Sequence, residues 1–199
     1  MSKGSLFVLS GPSGTGKGTV CAELLKKDNI FLSISATTRD KRAGETEGVT
    51  YYYKTKEEFE KMIEDGEMLE YALYGGNYYG TPKKAVTDML DSGKNVMLEI
   101  EPQGALKVKE QLPEAVLIFV VPPSIEELRK RLTERGREDE TEIERRIAAA
   151  KWEISQAPKY DYVVINDDLD VAVDEFLAVI KGEKCNVARN SDFLTSFIK

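Results

Sequence analysis

The chain of 199 residues has no histidine. That absence removes the usual general base, the commonest metal ligand and every Ser–His or Cys–His nucleophile in one step. Cysteine is scarce: Cys21 and Cys185 stand alone, without C-x-x-C spacing, which argues for a reducing compartment and against thiolate metal ligation. Long apolar runs are missing too. The longest uncharged apolar stretch, 115–123, is far short of the ~20 residues that a membrane helix needs. Near the start only Leu6-Phe7-Val8-Leu9 is continuously apolar, too little for a secretory leader, so the expected location is the cytoplasm with no membrane partner. Basic residues are in the minority, 28 Lys and Arg against 35 Asp and Glu, and a net charge of −7 argues against nucleic acid as a partner. What remains, 41% hydrophobic and 32% charged, describes an ordinary soluble protein able to bury one core.

What is present begins with Gly11-Pro12-Ser13-Gly14-Thr15-Gly16-Lys17-Gly18-Thr19. This G-x-x-x-x-G-K stretch follows the apolar run 6–9 and opens a helical pattern with Val20, Cys21, Leu24 and Leu25 on one face. A strand, a glycine-rich turn and a helix N-terminus form an anion cradle. Backbone N–H groups and the helix dipole face the ligand, and Lys17 adds a full charge for a terminal phosphate. Position 18 is Gly rather than Ser or Thr, so a hydroxyl beside a magnesium ion would come from Thr19 or through water. A chain without imidazole suits transfer of a phosphoryl group onto another phosphate. The acceptor's second pKa is about 6, so it is already a dianionic nucleophile near neutral pH, and catalysis reduces to positioning and charge neutralisation.

Apolar periodicity predicts further strands over 31–35, 50–54, 68–74, 78–81, 96–100, 116–121 and 162–165. The runs at 96, 116 and 162 resemble the first strand and predict a five-stranded parallel sheet buried on both faces. Helices are expected over 55–66, 82–92, 103–111, 124–134, 140–157 and 168–181, with capping boxes at Thr55-x-x-Glu58 and Ser124-x-x-Glu127. The segment 36–48 reads as polar and turn-rich. Seven of the nine tyrosines fall between 51 and 79, and six of the nine arginines between 129 and 146. On spacing alone the arginines could form a solvated helix face paired with glutamates. Beside a phosphate loop in an acidic protein they read better as an anion clamp.

The motifs, in their order and spacing from about residue 5 to 182, resemble those of guanylate kinase. Besides the loop, Thr37-Thr38-Arg39-Asp40-Lys41-Arg42-Ala43-Gly44-Glu45 is similar to the family's T-T-R-x-x-R-x-G-E, and Gly76-Asn77-Tyr78-Tyr79-Gly80-Thr81 to its G-N-x-Y-G-[ST]. Ile100-Glu101-Pro102-Gln103-Gly104, Arg131-Leu132-x-x-Arg135-Gly136 and Asn166-Asp167 resemble further family markers. The resemblance implies a three-layer P-loop fold in one domain. Its core would comprise 1–35, 82–125 and 156–185, with a β-rich acceptor insertion at 36–81, a helical lid at 126–155 and a tail at 186–199. It implies transfer of the ATP γ-phosphoryl group to GMP. Gly11, Pro12, Ser13, Gly14, Thr15, Gly16, Lys17, Gly18, Thr19 and Asn166 would bind ATP, and Arg39, Arg42, Tyr51 and Tyr79 the GMP phosphate. Glu70 and Glu101 would face guanine N1–H and its amino group, and Ser35 and Thr81 its O6. Lys17, Arg39, Arg135 and Arg146 would carry catalysis, with Mg2+ held by phosphates, water and Thr19, aided by an acid of Glu99-Ile100-Glu101. Without the resemblance, Glu70 would read as a solvent-facing strand residue, and Tyr51 and Tyr79 as packing aromatics.

Two positions depart from the family pattern: Glu101 where Asp is commoner, and Pro102 where a larger apolar residue is commoner. Arg137 receives no role. The competing readings are a kinase for a different nucleoside monophosphate and a catalytically inactive scaffold module. Glu70 and Thr81 favour guanine over the first. Lys17, Arg135 and Arg146 favour catalysis over the second. A switch GTPase would carry N-K-x-D, which the chain lacks. A monomer or homodimer is expected.

Overall fold

A computed structural model describes residues 3–134 and 139–198. The described chain runs β1 (Leu6–Ser10), α1 (Lys17–Lys27), β2 (Phe31–Leu32), β3 (Ala36–Thr37), β4 (Tyr52–Tyr53), α2 (Lys56–Glu64), β5 (Met68–Tyr74), β6 (Asn77–Pro82) and α3 (Lys83–Asp91). It continues through β7 (Val96–Glu99), α4 (Pro102–Gln111), β8 (Val116–Val121), α5 (Ile125–Glu134), α6 (Glu140–Ile154), β9 (Tyr162–Ile165), α7 (Leu169–Lys184) and α8 (Ser191–Ser196).

The five-stranded sheet has the order β2-β7-β1-β8-β9, with all four neighbouring pairs parallel. Strand β1 is its centre and is buried at all five positions, which is why its sequence is continuously apolar rather than alternating. Strand pleating sends Phe7 and Leu9 to one face, where Val20, Leu24, Phe176 and Ile180 of α1 and α7 cover them. Leu6 and Val8 go to the other, against Val86, Leu90, Ala105 and Val108 of α3 and α4. Each fully buried Leu or Phe contributes about 1.5–3 kcal/mol, so these two layers fix the end of β1 and hence the loop that leaves it.

A second, four-stranded sheet has the order β4-β3-β6-β5. Its small core is Ala36, Phe59 and Met68, with Tyr78 stacked on Phe59 at 5.2 Å between ring centres. Helix α2 is docked there with its expected capping box: the Thr55 hydroxyl accepts from the Glu58 N–H, and the Glu58 carboxylate accepts from the Thr55 N–H. Helices α5 and α6 share a third cluster of Leu128, Leu132, Ile143, Ile147 and Ala150.

The structure corrects several expectations. Strand β9 is an edge strand: Tyr162, Val163 and Ile165 are exposed and only Val164 is buried, with β8 its sole sheet neighbour among the described residues. The 36–48 segment contains β3, two residues too short to leave a periodic signal. Strands expected over 31–35 and 50–54 shrink to β2 and β4. Helix α6 stops at Ile154, and a 3-10 turn at Ala157–Lys159 follows. The tail is tied down where Arg189 donates to the Glu183 carboxylate and to the Glu114 carbonyl, both at 2.8 Å. Among the described residues no helix is long and apolar enough to cross a membrane.

Candidate active site

The loop after β1 is held by side chains that capture its carbonyls. Lys17 Nζ donates to the carbonyls of Gly11 and Pro12 at 2.6 and 2.9 Å. The Thr15 hydroxyl also donates to Pro12, at 3.0 Å, and the Asn166 amide donates to the Thr15 carbonyl at 2.7 Å. With these carbonyls occupied, the loop's N–H groups and the start of α1 at Lys17 are what it offers to an anion. Gly16 is required on two counts: its φ is +86°, and a Cβ there would collide with the Asn166 amide nitrogen. Leu128 and Leu132 of α5 lie against Gly14, so the α5–α6 pair packs directly on the loop.

From α6, Arg146 Nη1 donates to the Ser13 hydroxyl at 3.1 Å, across 133 positions of sequence. Arg145 and Arg146 are both gripped by Glu142, whose carboxyl they hold down at about 2. Arg131 bonds Glu127 and the Asn166 carbonyl, each at 2.9 Å. The helix-face pairing is realised, with glutamates bonding guanidinium groups along α5 and α6, and Arg145 and Arg146 also line the cleft. Arg135 and Arg137 lie outside the described residues.

Facing the loop across a cleft of about 640 Å³ is the four-stranded sheet. Arg39 Nη2 meets Glu45 at 2.6 Å, and its guanidinium stands 5.6 Å from the centre of the Tyr51 ring. Tyr51 in turn packs edge-on against Tyr53 and Tyr79, each at 6.1 Å. Glu45 pushes Arg39 further toward its charged form, with Tyr79 adding less. Burial, relieved in part by Arg39, raises Tyr51. Arg42 also lines this wall.

Glu70 is 6% exposed and accepts from the Thr81 hydroxyl at 2.8 Å. Burial raises its pKa, and the hydrogen bond from Thr81 and the charge of Lys107 only partly offset that. A buried carboxylate with one neutral donor is poised for a further N–H. Ser35 and Glu101 line the same cleft. Thr81 itself is buried behind Glu70, so its hydroxyl reaches the cleft only through that carboxylate.

Other expected residues sit elsewhere. Thr15 is buried inside the loop, Thr19 is exposed on the first turn of α1, and Asn166 braces the loop from behind at 7% exposure. Arg145, Trp152 and Glu153 of α6 line the cleft without having been singled out. Trp152 is the chain's single tryptophan and is 52% exposed, a signal that a count of aromatics alone could not place. Glu99 is on the floor, open to solvent yet crowded by protein. Burial raises its pKa, Lys17 lowers it and Glu101 raises it again. Among the described residues there is no group of three or more acids, cysteines or histidines able to cage a metal.

Comparison with known proteins bears on this geometry. Residues 3–183 match the family model described as guanylate kinase. A guanylate kinase of Clostridium tetani is 53% identical over 192 residues, covering 96% of this chain and 92% of that protein. One from Halalkalibacterium halodurans is 55% identical over 188 residues, covering 94% and 92%. The crystal structure of guanylate kinase from Anaplasma phagocytophilum superposes with a TM-score of 0.77 at 38% identity, over 94% of this chain and 90% of that one. A cleft with a phosphate loop on one wall and an arginine–tyrosine cluster on the other, matched over nearly the whole chain, places this protein in the guanylate kinase family.

Proposed function

We propose that the chain transfers the γ-phosphoryl group of ATP to GMP, and to dGMP, giving ADP and GDP. One observation carries this reading: Lys17 and Arg146 on one wall of a single cleft face Arg39, Arg42, Tyr51 and Glu70 on the other. The loop from Gly11 to Thr19 wraps the ATP phosphates, with Lys17 leaving the Gly11 and Pro12 carbonyls for the terminal phosphates. Arg39, Arg42 and the hydroxyls of Tyr51 and Tyr79 hold the GMP phosphate. Glu70 accepts from guanine N1–H and the amino group, with Glu101 beside it and Ser35 toward O6. Adenine offers no donor at these positions and would leave the buried Glu70 carboxylate facing the base without a hydrogen bond from it.

Catalysis is then charge neutralisation around the moving phosphoryl group. Lys17, Arg146 and Arg135 supply the positive groups, as arginine fingers do in trans in other systems. The ion expected with ATP is Mg2+. The residues fit a magnesium held mainly by phosphates and water, since Glu99 lies beside Gly18, where a Cβ would still be 3.6 Å from its carboxylate. Glu99 and the Thr19 hydroxyl would hold it there, and it would neutralise charge on the β- and γ-oxygens. The segments 36–81 and 126–155 act as insertion and lid that close over both nucleotides, excluding water. The proposed setting is the cytoplasm, as a monomer or homodimer.

A coupled assay of ADP release with ATP against GMP, dGMP, AMP, CMP and UMP tests the reading. Turnover confined to GMP and dGMP is expected. Equal turnover with AMP would overturn the guanine site, and no turnover with any acceptor would overturn the kinase reading.

A further inference from the structure

Glu45 touches more of the acceptor wall than any role assigned above explains. Its Oε1 meets Arg39 Nη2 at 2.6 Å. Its Oε2 accepts from the Arg42 backbone N–H and from the Tyr53 hydroxyl, both at 2.8 Å. Three separate stretches thus converge on one carboxylate: the end of the β3 connection, the turn at 42–45 and strand β4. The site is built rather than incidental, because the ion pair is well shielded, with 13% and 18% of the two side chains exposed. Arg39 is held on its other side by the Asp40 carbonyl, which accepts from Nη1 at 2.7 Å.

A carboxylate beside an anion site works against the anion by simple Coulomb repulsion. Its presence makes sense where it costs some attraction but fixes the fork. A guanidinium with two of its nitrogens already bound has one orientation left, and an orientation fixed beforehand is not lost as entropy when the ligand arrives. Tyr53, fixed by the same carboxylate, presses edge-on against Tyr51, which carries the ring facing Arg39. Resting on the acceptor-site reading above, we propose that Glu45 is the positioning residue of the acceptor phosphate site, acting through Arg39 and Tyr53 without touching the nucleotide.

The proposal makes a prediction whose sign separates it from electrostatics. In Glu45→Gln the GMP KM should rise about tenfold, the effect of losing one charge-assisted hydrogen bond, while kcat and the ATP KM stay within about twofold, since those depend on the other wall. Inorganic phosphate, used as a competitive inhibitor against GMP, should weaken in parallel. If Glu45 contributes only its negative charge, neutralising it strengthens phosphate and GMP binding, and an unchanged or lower KM overturns the proposal. Tyr53→Phe removes one partner and leaves the carboxylate. A rise of about two- to fivefold in GMP KM, that of a lost neutral hydrogen bond, supports the proposal; no change overturns it, and this variant decides the matter should Glu45→Gln not fold. Arg39→Ala separates the two levels. An unaltered GMP KM there overturns the acceptor-site reading itself, whereas a large rise there with none in Glu45→Gln overturns the role of Glu45 alone.

Discussion

On the donor wall, side chains bind backbone: Lys17, Thr15 and Asn166 tie back the carbonyls of Gly11, Pro12 and Thr15. On the acceptor wall, side chains also bind one another, with Glu45 joining Arg39 to Tyr53, and Thr81 joined to Glu70. The donor wall hangs from β1, buried throughout between two helical layers. The acceptor wall hangs from β3 and β4, two residues each, with a core of three buried apolar side chains. A polyphosphate chain asks for many weak donors in a fixed arc, which backbone supplies without regard to side chain. A guanine base must be told from adenine, and that takes placed side-chain acceptors for its N1–H and amino group.

The largest effect should come from stripping the donor wall of its charge. Lys17→Ala is expected to lower kcat by about a thousandfold or more, the scale of losing a charged partner of the transferring group, with GMP affinity by calorimetry unchanged. A parallel loss of GMP affinity would mean that the walls are not independent.

Next is selectivity on the acceptor wall. Glu70→Gln replaces an acceptor by an amide that can also donate, so the ratio of kcat/KM for GMP over AMP should fall by roughly ten- to a hundredfold. A ratio that holds would move guanine recognition to Glu101.

A matched pair of substitutions compares the backbones. Gly16 in the donor loop and Gly44 in the acceptor turn share a φ of +86°. Gly44 has nothing within 4 Å of an added Cβ, whereas at Gly16 it would strike Asn166. Gly44→Ala should lose about 1–2 kcal/mol from backbone strain alone, and Gly16→Ala clearly more, as read from urea unfolding. Equal losses would show that Asn166 does not brace the loop.

The smallest effect is acid sensitivity of the acceptor wall. Arg39, then the Arg42 N–H and Tyr53, lower Glu45 from 4.5 to about 2. Because the folded value is depressed, its stabilisation is present above pH ~4.5, the ordinary carboxylate range, and is lost as pH falls toward about 2. Glu45→Gln, which has no such proton to take up, should show a shallower fall of Tm over that window. Identical slopes would mean that Glu45 is not ionised within the network.

Legibility followed the same division. The donor loop could be read directly because its chemistry is local: a strand, glycines, a lysine and a helix start are consecutive in the chain. Asn166 shows the limit, since its contact with Thr15 spans 151 positions and adds a brace on the loop that its motif did not announce. On the acceptor wall, Arg39 was identified through its motif and Glu70 through the family resemblance, but their environments were not. Glu70 is buried only because β5 and β6 pair there and α4 closes over it. Strand β9 looked like the central strands by composition, and its exposed edge follows from its place in the strand order.

The sequence by itself therefore determined the phosphate loop, the parallel core and the catalytic class, because glycine positions, apolar runs and the lack of histidine act through short-range physics. Only the tertiary structure decided which arginines face the cleft, why Glu70 is buried and where Glu45 meets Arg39. Those facts depend on which side chains the loops and strands bring together, from six positions apart for Arg39 and Glu45 to 133 for Ser13 and Arg146, and periodicity along the chain carries no record of such encounters.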